Sequence, residues 1–115
     1  MAVKLTIPEK IHAVQGVQVG TACAGIKQTE RDDIALICFD EGTAVVGVYT
    51  QSHFAAAPVL VAKENESSSS GWIINSGNAN AATGYRGEVD ARKTCRIVAD
   101  RLSRPENSIQ PFSTG

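Results

Sequence analysis

The sequence has no long apolar run. None of its hydrophobic stretches approaches the ~20 residues that a membrane-spanning helix needs, which excludes an integral helical membrane protein. The start, Met1-Ala2-Val3-Lys4, leads into no apolar segment of secretory length. Neither sign of charge dominates: 11 basic and 12 acidic residues leave a formal net charge of -1. That removes the basic footprint that nucleic acid or a membrane surface would require. Cysteine is sparse, and Cys23, Cys38 and Cys95 stand far apart, with no pair at zinc or redox spacing. An odd count without a secretory leader predicts a reduced, cytoplasmic protein in which each cysteine is a small buried side chain. Asn65-Glu66-Ser67 spells a glycosylation acceptor, a chance match where there is no secretion. Familiar catalytic signatures are also missing. There is no Gly-x-Ser-x-Gly, no phosphate-binding loop and no metal-ligand cluster.

What is present is an ordinary core-forming composition: 115 residues, 43% hydrophobic and 20% charged. That length makes one domain, able to bury roughly two-thirds of its unfolded surface. The chain is organised around residues 75–84, Asn-Ser-Gly-Asn-Ala-Asn-Ala-Ala-Thr-Gly. This stretch carries no charge and no large side chain. It follows the apolar Trp72-Ile73-Ile74 and precedes a helical pattern, so a strand runs into a polar turn that feeds a helix. Glycine and asparagine tolerate the backbone angles of such turns. Composition favours amides that bond their own main chain over a ligand-binding loop.

Taken in order, residues 1–13 predict an irregular arm or short edge strand interrupted by Pro8. Residues 14–23 alternate, with Val17, Val19 and Thr21 on one side, as a half-exposed strand does. Residues 28–33 read as a solvated turn. Ile34-Ala35-Leu36-Ile37-Cys38-Phe39 predicts a strand buried on both faces. Residues 43–49, rich in β-branched side chains, predict a second strand forming an antiparallel hairpin with the first. His53 is a lone histidine in a loop, left without a role. Pro58-Val59-Leu60-Val61-Ala62 predicts another short strand. Residues 63–71, with four consecutive serines, predict an exposed, flexible loop. Residues 71–75 return to a strand.

The helix after the asparagine loop carries Ala91, Cys95, Val98 and Leu102 on one stripe. Glu88–Arg92 and Arg96–Asp100 are spaced as i,i+4 pairs on its wet side, and Pro105 closes it. Residues 108–115 begin as one more strand and stop at Ser113-Thr114-Gly115, the start of a turn. The expectation is a part of something longer. Asp32 and Asp33 are adjacent, a poor arrangement for acid–base partners facing one substrate. The two small-residue turns, 75–84 and 113–115, each after a strand, offer amides and hydroxyls suited to a developing oxyanion. The residues support half of an active site at most and name no reaction.

At these two turns the sequence resembles the ornithine acetyltransferase family, the bifunctional glutamate N-acetyltransferases of arginine biosynthesis. The carriers are Asn75-Ser76-Gly77-Asn78-Ala79-Asn80-Ala81 with Thr83-Gly84, and Ser113-Thr114-Gly115. Ala24-Gly25-Ile26-Lys27, Asp33-Ile34-Ala35-Leu36-Ile37, Gly47-Val48-Tyr49-Thr50 and Ala56-Ala57-Pro58-Val59 follow in the family's order. The resemblance runs from about Gly16 to Gly115. It implies an α/β (α+β) fold, a mixed sheet with a packed helix, within a self-processing αββα sandwich. It implies a precursor that cuts itself into α and β chains, the new amino-terminal threonine of β acting as nucleophile. N-acetyl-L-ornithine gives its acetyl group to that threonine and L-glutamate accepts it. There is no resident cofactor, although some members also use acetyl-CoA as donor.

On this resemblance Thr114 and Gly115 fall on the oxyanion-hole pair. Residues 1–115 are the amino-terminal part of the α chain, a single-domain fragment inactive alone and completed by a β chain in an αβ hetero-oligomer. The nucleophilic threonine and the substrate-binding lysine lie outside this sequence. Two alternatives stand beside it: a self-processing amidohydrolase or aminopeptidase of similar architecture, and a non-catalytic binding module with the α-type fold.

Overall fold

The computed structural model describes residues 6–28 and 30–115. Four strands form one mixed sheet in the order β1 (Val17–Ala22), β2 (Ile34–Phe39), β3 (Gly71–Ser76), β4 (Ile109–Thr114). β1–β2 and β2–β3 are antiparallel, whereas β3–β4 is parallel. A parallel neighbour requires a crossover. It is supplied by α2 (Gly84–Leu102), which packs with α1 (Ala57–Asn65) on one face of the sheet.

The core lies between that face and the helices. Val61 from α1, Ala91, Cys95 and Ala99 from α2, and Ile73 and Ile109 from the strands form one buried cluster. Ile34, Leu36, Val98 and Leu102 pack around it. The helical stripe expected at positions 91, 95, 98 and 102 is therefore the packed side, extended by Gly87 and Ala99. α2 stops at Leu102 because Ser103 turns left-handed (φ 53°) and its amide returns to the carbonyls of Ala99 and Asp100. Arg104 then donates to the carbonyls of Ser70 at 2.6 Å and Phe39 at 3.2 Å, tying the helix end to the sheet.

Several sequence expectations give way to the structure. Residues 43–49 form no strand and no hairpin. Both edges of β2 are already taken, by β1 and β3, so this β-branched run has no ladder to join. It crosses the sheet's second face instead, over Ile37, Trp72 and Phe112. Residues 58–62 belong to α1. Pro58 sits in its first turn, where a missing N–H costs nothing, and Val61, Ala62 and Asn65 are buried one turn apart.

Residues 63–71 are not an exposed loop, since α1 continues to Asn65, a 3-10 turn follows, and Asn65 and Ser69 are buried. The Asn65 amide donates to the carbonyl of Ile109 at 2.8 Å. β2 is half-buried along its length, with only Phe39 fully buried, because its second face is incompletely covered. Cys95 is buried as expected, but Cys38 is half-buried and Cys23 exposed. Arg92 pairs not with Glu88 but with Glu64 of α1, at 2.6 Å. Residues 6–13 are irregular and exposed; the rest of the expected amino-terminal arm lies outside the described residues. No helix among the described residues is long and apolar enough to cross a membrane.

Candidate active site

The parallel pairing of β3 and β4 brings the two small-residue segments together. Asn75 stands opposite Ser113, and Ser76 opposite Thr114. Both strands end on the same side of the sheet, the edge where open α/β sheets place ligands. Ser113 and Thr114 are thus the end of β4, not a turn, and only Gly115 lies beyond the ladder. Ser113 Oγ donates to Asn75 Oδ1 at 2.6 Å. The amide of Gly77 donates to the carbonyl of Thr114 at 2.9 Å. A Cβ on Gly115 would stand 3.8 Å from that of Ala79, so the last residue reaches into the asparagine loop.

The loop is held by its own amides. Asn75 Nδ2 donates to the Asn78 carbonyl at 2.8 Å, and Asn78 Oδ1 accepts from the Asn80 amide at 3.1 Å. Asn80 Nδ2 reaches the Gly87 carbonyl at 2.9 Å while its Oδ1 accepts from Thr83 Oγ1 at 2.7 Å. Asn80 and Ala82 sit at φ 48° and 57°, angles that asparagine tolerates and alanine adopts only under constraint. Gly87 allows the closure, because a Cβ there would overlap Thr83 Oγ1. These side chains bond the loop to itself, and Asn75, Asn78 and Asn80 also line a hollow beside Ile26 and Ser113.

Thr114 and Gly115 are exposed. Thr114 lines two hollows. One, of about 490 Å³, lies between the sheet and the strap of residues 45–49, with Trp72, Ile74 and Phe112 as its floor. The other, of about 310 Å³, opens between the strap and the start of α1 and is walled by Val48, Val59, Pro111 and Ala79. The strap is fixed by the buried Gln110. Gln110 Nε2 donates to the Tyr49 hydroxyl at 3.0 Å and to the Ala62 carbonyl at 2.8 Å, while its Oε1 accepts from Trp72 Nε1 at 2.8 Å. Burial, and then Glu66 beside it, push the Tyr49 hydroxyl above its ordinary value, so it stays protonated.

Other candidates from the sequence stand differently. His53 lies in an exposed turn near Glu88 and Thr83. Asp32 accepts from the Thr21 hydroxyl. Asp33, expected in a solvated turn, is buried at 3% exposure. Its carboxylate accepts the amides of Ala24, Ile26 and Lys27. The bond from Ala24 foremost, reinforced by Lys27 and Ile26, holds it below the ordinary carboxylate value against the opposing effect of burial. Nothing in the sequence signalled this role, because its partners are backbone groups. Among the described residues, no three histidines, cysteines or carboxylates form a group able to hold a metal.

A mixed sheet backed by helices defines an α/β protein, and its small polar residues gather at the ends of adjacent parallel strands. The ArgJ family model matches residues 18–115, and the chain belongs to the ArgJ family. It is 48% identical over 107 residues to the arginine biosynthesis bifunctional protein ArgJ of Methylococcus capsulatus, covering 92% of this chain and 26% of that protein. It is 40% identical to the protein of the same name from Pseudomonas syringae, across 100% of this chain and 29% of the relative. The chain therefore spans under a third of the curated relatives it matches. Among solved structures, the ornithine acetyltransferase of Mycobacterium tuberculosis complexed with ornithine matches with a TM-score of 0.82 and 32% identity, over 88% of this chain and 56% of that one. The ArgJ protein of Bacillus halodurans gives 0.81 and 33%, over 88% and 54%.

Proposed function

We propose that this chain supplies the oxyanion-stabilising half of an acetyltransferase that moves an acetyl group from N-acetyl-L-ornithine to L-glutamate. The observation that carries the reading is the meeting of Thr114 with the asparagine loop across the parallel strands β3 and β4, where Ser113 bonds Asn75, the Gly77 amide holds the Thr114 carbonyl and Thr114 borders an apolar cleft. The Thr114 hydroxyl and the Gly115 amide are donors of the kind a tetrahedral intermediate needs, in a setting where water is partly excluded. The attacking group is the amino-terminal threonine of a β chain generated by self-cleavage, with its own amine as base.

In the first half-reaction the threonine oxygen attacks the acetyl carbonyl. The bond to the ornithine nitrogen breaks, and the threonine proton passes through the α-amine to the leaving amine. In the second, the glutamate amine attacks the threonine ester, the bond from the acetyl carbon to the threonine oxygen breaks, and a proton from the glutamate nitrogen passes through the α-amine to that oxygen. The acyl group moves between donor, threonine and acceptor, so no resident cofactor is required; acetyl-CoA could load the same threonine. The assembly is an αβ hetero-oligomer in the cytoplasm. The related self-processing hydrolase differs only in letting water, rather than glutamate, take the acetyl group.

The test joins this chain to the remainder of the Methylococcus relative and follows acetyl transfer from N-acetylornithine to glutamate. The joined protein is expected to show ping-pong kinetics and N-acetylglutamate as product. The isolated 115-residue chain is expected to give none. Turnover by the isolated chain, or acetate in place of N-acetylglutamate from the joined protein, would overturn the reading.

A further inference from the structure

Asp33 binds two separate parts of the chain to the end of the sheet. Its Oδ1 accepts the amide of Ala24 at 2.6 Å, and its Oδ2 accepts those of Ile26 at 2.6 Å and Lys27 at 3.1 Å. Its own carbonyl accepts the amide of Ser76 at 2.8 Å. A carboxylate that gathers three amides folds residues 24–27 into a hook, and charge-assisted bonds of this kind are roughly twice as strong as neutral ones. The hook lies on Gly77. A Cβ at that position would stand 2.8 Å from Lys27 Cγ and 3.1 Å from Ile26 Cγ2, at φ +99°. The Gly77 amide in turn holds the Thr114 carbonyl.

We propose that Asp33 is a positioning residue for the Thr114–Gly115 donors, acting through the hook and Gly77; this rests on the reading of those two residues as oxyanion donors. Asp33 touches no reacting atom. The physical need is specific. Thr114 is paired with Ser76 in the ladder, and the Gly77 amide adds a bond to its carbonyl at 2.9 Å. Donors act only when held within about 0.5 Å of their productive place. The hook presses on Gly77 from the side and keeps that bond closed, and only glycine leaves room for it.

Amide hydrogen exchange on the 115-residue chain tests the proposal directly. Asp33→Asn is expected to speed exchange at Gly77 about tenfold, while Ile73 in the middle of the same strand changes less than about twofold. Lys27→Ala, at an exposed position, removes one of the two side chains packed on Gly77 without touching the bonds of Asp33 and is expected to give a smaller rise confined to Gly77, even if Asp33→Asn loosens the whole chain. In the joined protein, Asp33→Asn should lower kcat about tenfold with KM for N-acetylornithine within about twofold, the pattern of an interaction made in the transition state. Unchanged exchange at Gly77 in both variants, or a change in KM without one in kcat, overturns it. Failure of the donor reading itself shows separately, as an unchanged kcat in Thr114→Ala.

Discussion

Ser113 Oγ donates to Asn75 Oδ1 at 2.6 Å across the parallel strands β3 and β4. This bond joins the two segments on which the site is built, and Asn75 passes the restraint on to Asn78. Ser113→Ala leaves a half-buried carbonyl oxygen without its donor and is expected to cost about 1 kcal/mol. Thermal unfolding should show a midpoint lower by about 4 °C; an unchanged midpoint would mean that water replaces the hydroxyl.

Ile109 is fully buried beside Val61 and Ile73, where α1, α2 and the sheet meet. Ile109→Ala removes that contact and opens a cavity, and is expected to destabilise the chain by about 2–5 kcal/mol. Urea unfolding followed by circular dichroism measures it. A loss below about 1 kcal/mol would contradict the placement of the core.

Asp33 supplies a pH dependence of definite sign. Its carboxyl titrates below the ordinary value of 3.8 in the folded chain, so the folded state favours the charged form. The stabilisation is complete above 3.8, and it disappears as pH falls through the lower folded value. The difference in unfolding free energy between the wild type and Asp33→Asn should therefore be constant at neutral pH and shrink as the solution is taken below about pH 4. A difference that grows on acidification would contradict the bonding described.

The cysteines separate by burial. Cys95 is buried on the inner face of α2, and burial, with Glu106 adding to it, pushes its thiol up to about 12. Thiolate is the reactive form, so Cys95 should resist iodoacetamide at neutral pH until the chain unfolds. Cys23 is exposed and should be modified first. Peptide mapping after timed labelling distinguishes the two.

Local patterns made part of this architecture readable and nonlocal ones hid the rest. β2, β3 and α2 were visible because a run or stripe of apolar residues sufficed to mark each, whereas β4 was half visible, its start reading as a strand and its end, Ser113-Thr114, as a turn. α1 was misread because Val59, Leu60 and Val61 favour strands by residue type, whereas Pro58 at the first turn and burial of Val61, Ala62 and Asn65 against the sheet make a helix. Residues 43–49 have strand composition but no free ladder edge, and edge availability is a property of the whole sheet. The site shows the same division. Both small-residue segments were legible by pattern, and the role proposed for Thr114 and Gly115 rests on resemblance. Their meeting across β3 and β4 depends on a parallel pairing through α2, which no local signal announces. Asp33 stayed hidden because its partners are main-chain amides, which every sequence possesses.

The account turns on the Thr114 hydroxyl. The most direct measurement is kcat for acetyl transfer by the joined protein with threonine or alanine at position 114. Loss of one oxyanion donor predicts a fall of about 10²–10³ in kcat with self-cleavage intact. A kcat within about twofold of wild type, in a correctly cleaved and folded protein, would contradict the account.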